Sequence, residues 1–322
     1  MLPRLGVGSG LLLTGLLLPC AAVQAEPFDY RGICDASAAV ALDADHFVVA
    51  DDESNNLYIY HRDKPEWDHV VKMAAELGTS ETKEVDLEGG ARIDDRIYWI
   101  ASHGKGKDRR RRFFATEIID DPKPSVAKPT RVSKDLVDDL IDEQELKRYK
   151  LKKAAKKGDA EAWGALNIEG LAATPNGDLL IGFRNPIPKG KALIVPLKNP
   201  NEVLEGEKAN FGGPIELDLD GNGIRSIERV GSDYLIAAGA YNDCGCFSLY
   251  LWPGPGNNKV EKIDVELGGL RPEVLFAIPD TQKVQILSDD GGVKVDGIDC
   301  KDLHEHGMAD KKGFRSHIHE LN

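Results

Sequence analysis

Beyond its first two dozen residues the chain has no apolar run approaching the ~20 residues that a membrane-crossing helix needs, so no such helix is expected. It also lacks a Gly-x-Ser-x-Gly nucleophile elbow and a phosphate-cradling P-loop, which removes two well-marked classes of active site. Positive charge is in deficit: 41 Lys and Arg face 54 Asp and Glu, a formal net charge of −13. That balance argues against general affinity for nucleic acid or anionic lipid. Cysteine is scarce, with five residues, and one of them, Cys20, sits in a leader-like stretch.

Arg4, the apolar run from Leu11 to Leu18 and the small-residue site Val23-Gln24-Ala25 read as a secretory signal peptide over residues 1–25, cleaved after Ala25. Pro19 stands where a lipobox wants a small residue, so Cys20 is not read as a lipidation site. Residues 26–322 are then expected to form a single exported domain, periplasmic or extracellular and monomeric.

What is present is a repeat. In Asn167 to Pro186 a short apolar strand follows Glu169-Gly170, Pro175-Asn176-Gly177-Asp178 makes a turn, and a second apolar strand ends in Arg184-Asn185. Antiparallel pairing puts Glu169 and Arg184 at the same end. The unit recurs after Asp35-Ala36-Ser37, ending in Asp51-Asp52-Glu53, and after Glu88-Gly89-Gly90, ending in Ser102-His103-Gly104. It recurs again after Arg225-Ser226, ending in Gly239-Ala240-Tyr241, and after Arg271-Pro272-Glu273, ending in Ser288-Asp289-Asp290. Such spacing is the mark of an all-β fold built by radial repetition, a β-propeller, here with five blades; six would need strands hidden in the insert. Phe28 to Ile33 has no partner in the first unit and is expected to close the last blade beside Phe314 to Leu321. Residues 133–158 break the β pattern. Leu136, Val137, Leu140 and Ile141 fall at helical spacing behind Ser133, read as an N-cap, which predicts a helical insertion packed on the outside.

The ordered set CDAS, VVADDESN, EGG with IASHG, IEGLA with GFRNP, GIRSI and RPEVL resembles the bacterial family known as domain of unknown function 3616. More distantly it is similar to phytase-like propellers, whose repeats also start with an acidic residue and a Gly. The resemblance runs through nearly the whole chain after the leader and implies an exported β-propeller. It brings no established substrate, so "phytase-like" is an analogy of fold.

In a propeller, equivalent positions of the inner strands form a ring around the channel. Asp35, Glu88, Glu169, Arg225 and Glu273 are expected at one register, with Asp52, Glu53, His103, Arg184, Asn185, Asp289 and Asp290 nearby from the second strands. These are the candidate binding residues. Two carboxylates ~5 Å apart repel by about 3 kcal/mol at an effective dielectric of ~20. Several together need Arg partners, raised pKa values or a bound cation. Ca²⁺ is the cation expected, with Glu88, Glu169, Glu273 and Asp289 as its ligands. The alternative is that these carboxylates fasten neighbouring blades through backbone N–H groups.

Weaker signals surround this ring. Asp218-Leu219-Asp220-Gly221-Asn222-Gly223 opens like a calcium loop, but its twelfth position is Arg229, and it reads as a polar turn, with Glu228 assigned to the same loop. The basic run Arg109 to Arg112, with Lys105 and Lys107, reads as a solvated hairpin. His304-Glu305-His306 and His317-Ile318-His319 have a spacing that suits Zn²⁺ but no third ligand, and read as exposed edge. Four cysteines remain after the leader. A propeller brings its two ends together, which favours a Cys34–Cys300 bridge and leaves Cys244 with Cys246; four reduced thiols are the alternative.

Two function classes follow. The first is a module that binds a ligand, ion or partner at the channel mouth. The second is a Ca²⁺-assisted hydrolase of phosphate or other esters, with catalytic residues drawn from Glu169, Arg184, Glu88 and His103.

Overall fold

The structure, a computed structural model, describes residues 26–51, 53–242 and 245–321. The leader-like residues 1–25, with Asp52 and Cys244, lie outside the described residues. Five four-strand units are arranged in a ring. Blade 1 is Ala36–Ala41, His46–Asp51, Asn56–His61 and Trp67–Lys72. Blade 2 is Leu87–Ile93, Arg96–Ala101, Phe113–Ile119 and the short Val132–Ser133, with Ser125–Val126 also on its third strand. Blade 3 is Asn167–Ala173, Leu179–Asn185, Ala192–Leu197 and Ile215–Leu217. Blade 4 is Gly223–Val230, Asp233–Gly239, Phe247–Trp252 and Glu261–Ile263. Blade 5 runs Pro272–Ala277, Lys283–Ser288, Gly313–Glu320 and, outermost, Phe28–Arg31 from the other end of the chain.

The packing explains why the strands are apolar along their whole length. Each blade buries both faces, one against each neighbour, so alternate residues enter different cores. Val48 lies in the cluster shared by blades 1 and 2, and Val49 in the one shared by blades 5 and 1. Five such interfaces close the ring. The charged residues that face the channel are consequently placed at strand ends, where the channel opens.

The Cys34–Cys300 disulfide is present, with Cα atoms 5.9 Å apart and a sequence separation of 266. It ties the start of blade 1 to a strap, residues 289–312, that connects the second and third strands of blade 5. Cys246 is exposed. Among the described residues no helix is long and apolar enough to cross a membrane.

Three local readings need correction. Ser133 is no N-cap: it pairs with Phe113, and Asp135 precedes the helix Leu136–Asp142. The helical insert is part of the core rather than packed on the outside, since Leu136, Val137, Leu140, Leu146 and Leu151 fill the interface between blades 2 and 3. Residues 105–112 form no hairpin strands but a loop with a single 3-10 turn at Asp108–Arg110, and Arg110 and Arg112 are buried. Their charge is tolerated because Arg110 pairs with Asp86 and Glu84, while Arg112 donates to the carbonyls of Leu77 and Asp108.

Candidate functional site

Every inner strand carries a β-bulge one residue before its first apolar run. The shifts in register fall between Ala36 and Ala38, Leu87 and Gly89, Ile168 and Gly170, Ile224 and Ser226, and Pro272 and Val274. The bulged residues are therefore Ser37, Glu88, Glu169, Arg225 and Glu273. A bulge re-aims one side chain out of the sheet, and all five line one cavity of about 260 Å³ at the channel mouth. The glycine after the acid serves the same geometry. A Cβ on Gly170 would meet Ile224 of blade 4 at 2.8 Å, so the Glu-Gly pair joins a channel-facing acid to a close blade contact.

Asp35 is displaced from its expected place. Ser37 holds the ring position in blade 1, and Asp35 sits two residues earlier, bridged to Asp289, while still lining the cavity. The same offset in the next two blades brings in Asp86 and Asn167, which sequence reasoning missed. Of the other expected residues, Glu53, Arg184 and Asp289 line the cavity. His103 does not. Its backbone takes a left-handed turn (φ 57°) and its Nδ1 donates to the Ala101 carbonyl at 2.6 Å, so the ring is buried and its pKa falls to about 4 through burial. Asp290 faces the blade-5 side, paired with Arg315 at 2.7 Å. Asn185 is buried and positions a lip: its Nδ2 donates to the carbonyls of Ala160 (3.1 Å) and Ala162 (2.9 Å). Asp52 lies outside the described residues.

Nine carboxylates and five cationic side chains line the cavity, and they are unevenly distributed. Over blades 3 to 5 the charges alternate. Glu169 Oε1 accepts from Asn167 Nδ2 and Arg184 Nη1, both at 2.8 Å, and Arg225 Nη1 lies 3.5 Å from Oε2. The same Arg225 reaches Glu273 at 2.7 Å. Arg110 neutralises Asp86 and Glu84 in the same manner. Between blades 5 and 1 the balance fails. Burial, then Asp289, Glu53 and Asp51, push the Asp35 carboxyl up to about 8. Burial also raises Glu273 to about 8 despite Arg225. Lys301, delivered by the strap, is the cation lining this arc among the described residues, with Lys312 3.7 Å from Glu53.

Among the described residues, two buried acceptors in the cavity have neither a hydrogen-bond nor an ion-pair partner, Asp35 Oδ2 and Asn167 Oδ1. Glu169 Oε2 also lacks a hydrogen bond but lies 3.5 Å from Arg225 Nη1, and Arg110 Nε is a buried donor without a hydrogen bond. Asp35 and Asn167 are 9% and 4% exposed, and a buried acceptor left unpaired costs about 1–3 kcal/mol. Among the described residues no three His, Cys, Asp or Glu side chains already converge as a metal cage. The weaker sequence signals resolve simply. Asp220 takes a left-handed turn and binds Tyr250 and Lys262, as a polar turn does. Glu228 is not in that turn but on the inner strand of blade 4, accepting from the Ala277 N–H of blade 5 at 3.1 Å, a blade fastener. His304 and His306 lie on a 3-10 helix and His317 and His319 on a strand.

No curated protein matches the chain significantly by sequence. Among solved structures, it is similar to a glutaminyl cyclase from Myxococcus xanthus (11% identity, TM-score 0.46, covering 92% of this chain and 96% of that one). It is also similar to the β-propeller domain of Cps50 (Swd1) from Myceliophteria thermophila (11%, TM-score 0.41, 92% and 98%). These likenesses concern fold alone. A family match covers residues 122–285, from just beyond the third strand of blade 2 into the second strand of blade 5, and so includes Glu169, Arg184, Arg225 and Glu273. The chain belongs to that family, described as "Protein of unknown function (DUF3616)".

Proposed function

We propose that this propeller is a binding module whose channel mouth takes a small, strongly polar ligand carrying positive charge. The observation that carries this reading is the pair of orphaned buried acceptors, Asp35 Oδ2 and Asn167 Oδ1, in a cavity where carboxylates outnumber cations. Both atoms call for a donor or a cation. Either would let Asp35 ionise and would relieve the crowding among Asp35, Asp289 and Glu53. Ca²⁺ is one such cation, supplied with carboxylate oxygens of the type it prefers. The Cys34–Cys300 bridge suits an oxidising compartment, which fits a protein that works after export.

A second reading, a metal-assisted ester hydrolase, draws on the carboxyls of Asp35 and Glu273. Both are pushed up to about 8, Glu273 with Arg184 among the charges acting on it, and would be poised to exchange protons near neutrality.

The test is a thermal-shift panel at neutral pH with Ca²⁺, Mg²⁺, amines, inorganic phosphate and phosphoesters, on the wild type and Asp35→Asn. Cations should raise Tm in the wild type and much less in the variant. Stabilisation by phosphate or phosphoesters with none by any cation would overturn the binding reading. Ester turnover abolished by Asp35→Asn would favour the hydrolase.

A further inference from the structure

Trp163 is the most exposed large hydrophobic residue among those described, at 59%. It does not hang free on a loop. Asn185, itself buried, holds the carbonyls of Ala160 and Ala162, and Ala160 and Glu161 line the channel-mouth cavity. Trp163 therefore stands two residues beyond the cavity wall, at its lip. Across from it is Tyr241, edge to face at 5.1 Å between ring centroids. Tyr241 is fixed by the same guanidiniums that line the cavity. The carbonyl before it, Ala240, accepts from Arg184 Nε at 3.3 Å, and the one after it, Asn242, from Arg225 at 3.5 Å.

We infer that the occupant of the channel mouth is an organic ammonium ion, its charged head at Asp35 and Asn167 and its stem against the Trp163–Tyr241 lip. This rests on the binding reading above and narrows it. An aromatic face carries negative electrostatic potential and attracts a cation, while its apolar area covers methylenes. A bare metal ion would use the carboxylates but not the lip. An anion would meet repulsion from both. An alkylammonium matches three features of the mouth: N–H donors for the two orphaned acceptors, positive charge for the acidic arc around Asp35 and a stem for the aromatic pair. It also suits a cavity of about 260 Å³, larger than one ion requires.

The probes are putrescine, spermidine, tetramethylammonium and Ca²⁺, titrated by calorimetry and by tryptophan fluorescence. Amines should bind and change the emission of the exposed Trp163. Trp163→Leu should abolish that change and weaken binding about threefold to fivefold, whereas Asp35→Asn should weaken it at least tenfold. Asn167→Ala serves as the second pocket variant if Asp35→Asn misfolds by circular dichroism. Amine binding that is unaltered in Trp163→Leu would overturn the inference and leave the cation reading standing. Binding of Ca²⁺ with no amine bound would do the same. Failure of every cation to bind would overturn both.

Discussion

The two arcs of the channel mouth start from the same ring register and solve the same electrostatic problem differently. From blade 3 to blade 5 each of these carboxylates meets a guanidinium: Arg184 on Glu169, then Arg225 shared by Glu169 and Glu273. Those pairs span three blades and act as clamps. Between blades 5 and 1 Asp35 is buried against Asp289, Glu53 and Asp51, which push its carboxyl up to about 8. The compensated arc is therefore finished structure. The acidic arc is where the proposed ligand would supply the missing positive charge. Arginine and lysine mark the difference: planar guanidiniums lock one arc, and flexible ammonium groups from the strap loosely screen the other.

The largest effect should come from cutting the strap loose. Replacing Cys34 and Cys300 by Ser removes the closure of a 266-residue loop, worth about 5 kcal/mol on the chain-entropy model. Urea unfolding should report that loss. Limited proteolysis should then cut first in residues 289–312, leaving blades 3 and 4 protected. Equal sensitivity of both arcs would mean that the bridge serves the whole ring rather than the acidic arc.

Next in size is the clamp. Arg225→Ala strands two carboxylates, Glu169 and Glu273, that one guanidinium had served, and should cost about 3–5 kcal/mol in the urea midpoint. The exposed pair Lys262–Asp220 is the control: Lys262→Ala should cost under about 1 kcal/mol. A mild Arg225→Ala would show that the two arcs are less different than their geometry states.

Much of this arrangement was legible in the sequence, and the reasons it was not wholly so are physical. The five repeat starts could be read because buried faces on both sides force polarity to the strand ends. Glu88, Glu169, Arg225 and Glu273 were placed correctly because an acid or Arg before a small or apolar residue is the visible trace of a bulge. In blade 1 two polar residues compete, and choosing the charged one put Asp35 where Ser37 belongs. Asp86 and Asn167 left a faint signal, a polar residue two places before the bulge. Arg110 was misread because four consecutive arginines look solvated, and only the folded loop brings Asp86 and Glu84 to meet one of them. Lys301 had no local signal at all, since the strap and its disulfide carry it there.

A third effect is read through pH. The Asp35 carboxyl lies at about 8 in the folded protein against an ordinary value near 4, so the folded state binds this proton more tightly than the unfolded chain. The stability this confers is fully present below about pH 4 and is lost as pH rises toward and through 8. Glu273, also raised to about 8, contributes in the same sense. Melting temperature should therefore fall from pH 5 to 8.5, and Asp35→Asn should reduce that slope by about one proton. A saturating amine or Ca²⁺ should flatten it as well, by stabilising the ionised carboxylate. An unchanged slope in Asp35→Asn would place the titration elsewhere in the molecule.

The smallest effect has the opposite sign to the rest. Lys301 is held charged in a site that burial would otherwise make costly, because Asp35, Glu53, Asp302 and Asp289 raise its pKa. On the binding reading it is an internal stand-in for the proposed cation. Lys301→Ala should leave the urea midpoint within about 1 kcal/mol, since an ammonium partly open to water contributes little to folding. The same substitution should tighten amine or Ca²⁺ binding, because the ligand no longer competes with a resident charge. A lysine on the cavity wall, screened by water and salt, makes that gain about threefold. Lys105→Ala, which removes a cation from the compensated side of the same cavity, should change affinity less. If both substitutions tighten binding equally, the ligand responds to the net charge of the mouth and the distinction between its two arcs disappears; if Lys301→Ala weakens binding, the lysine contacts the ligand and the acidic arc recognises something other than a cation.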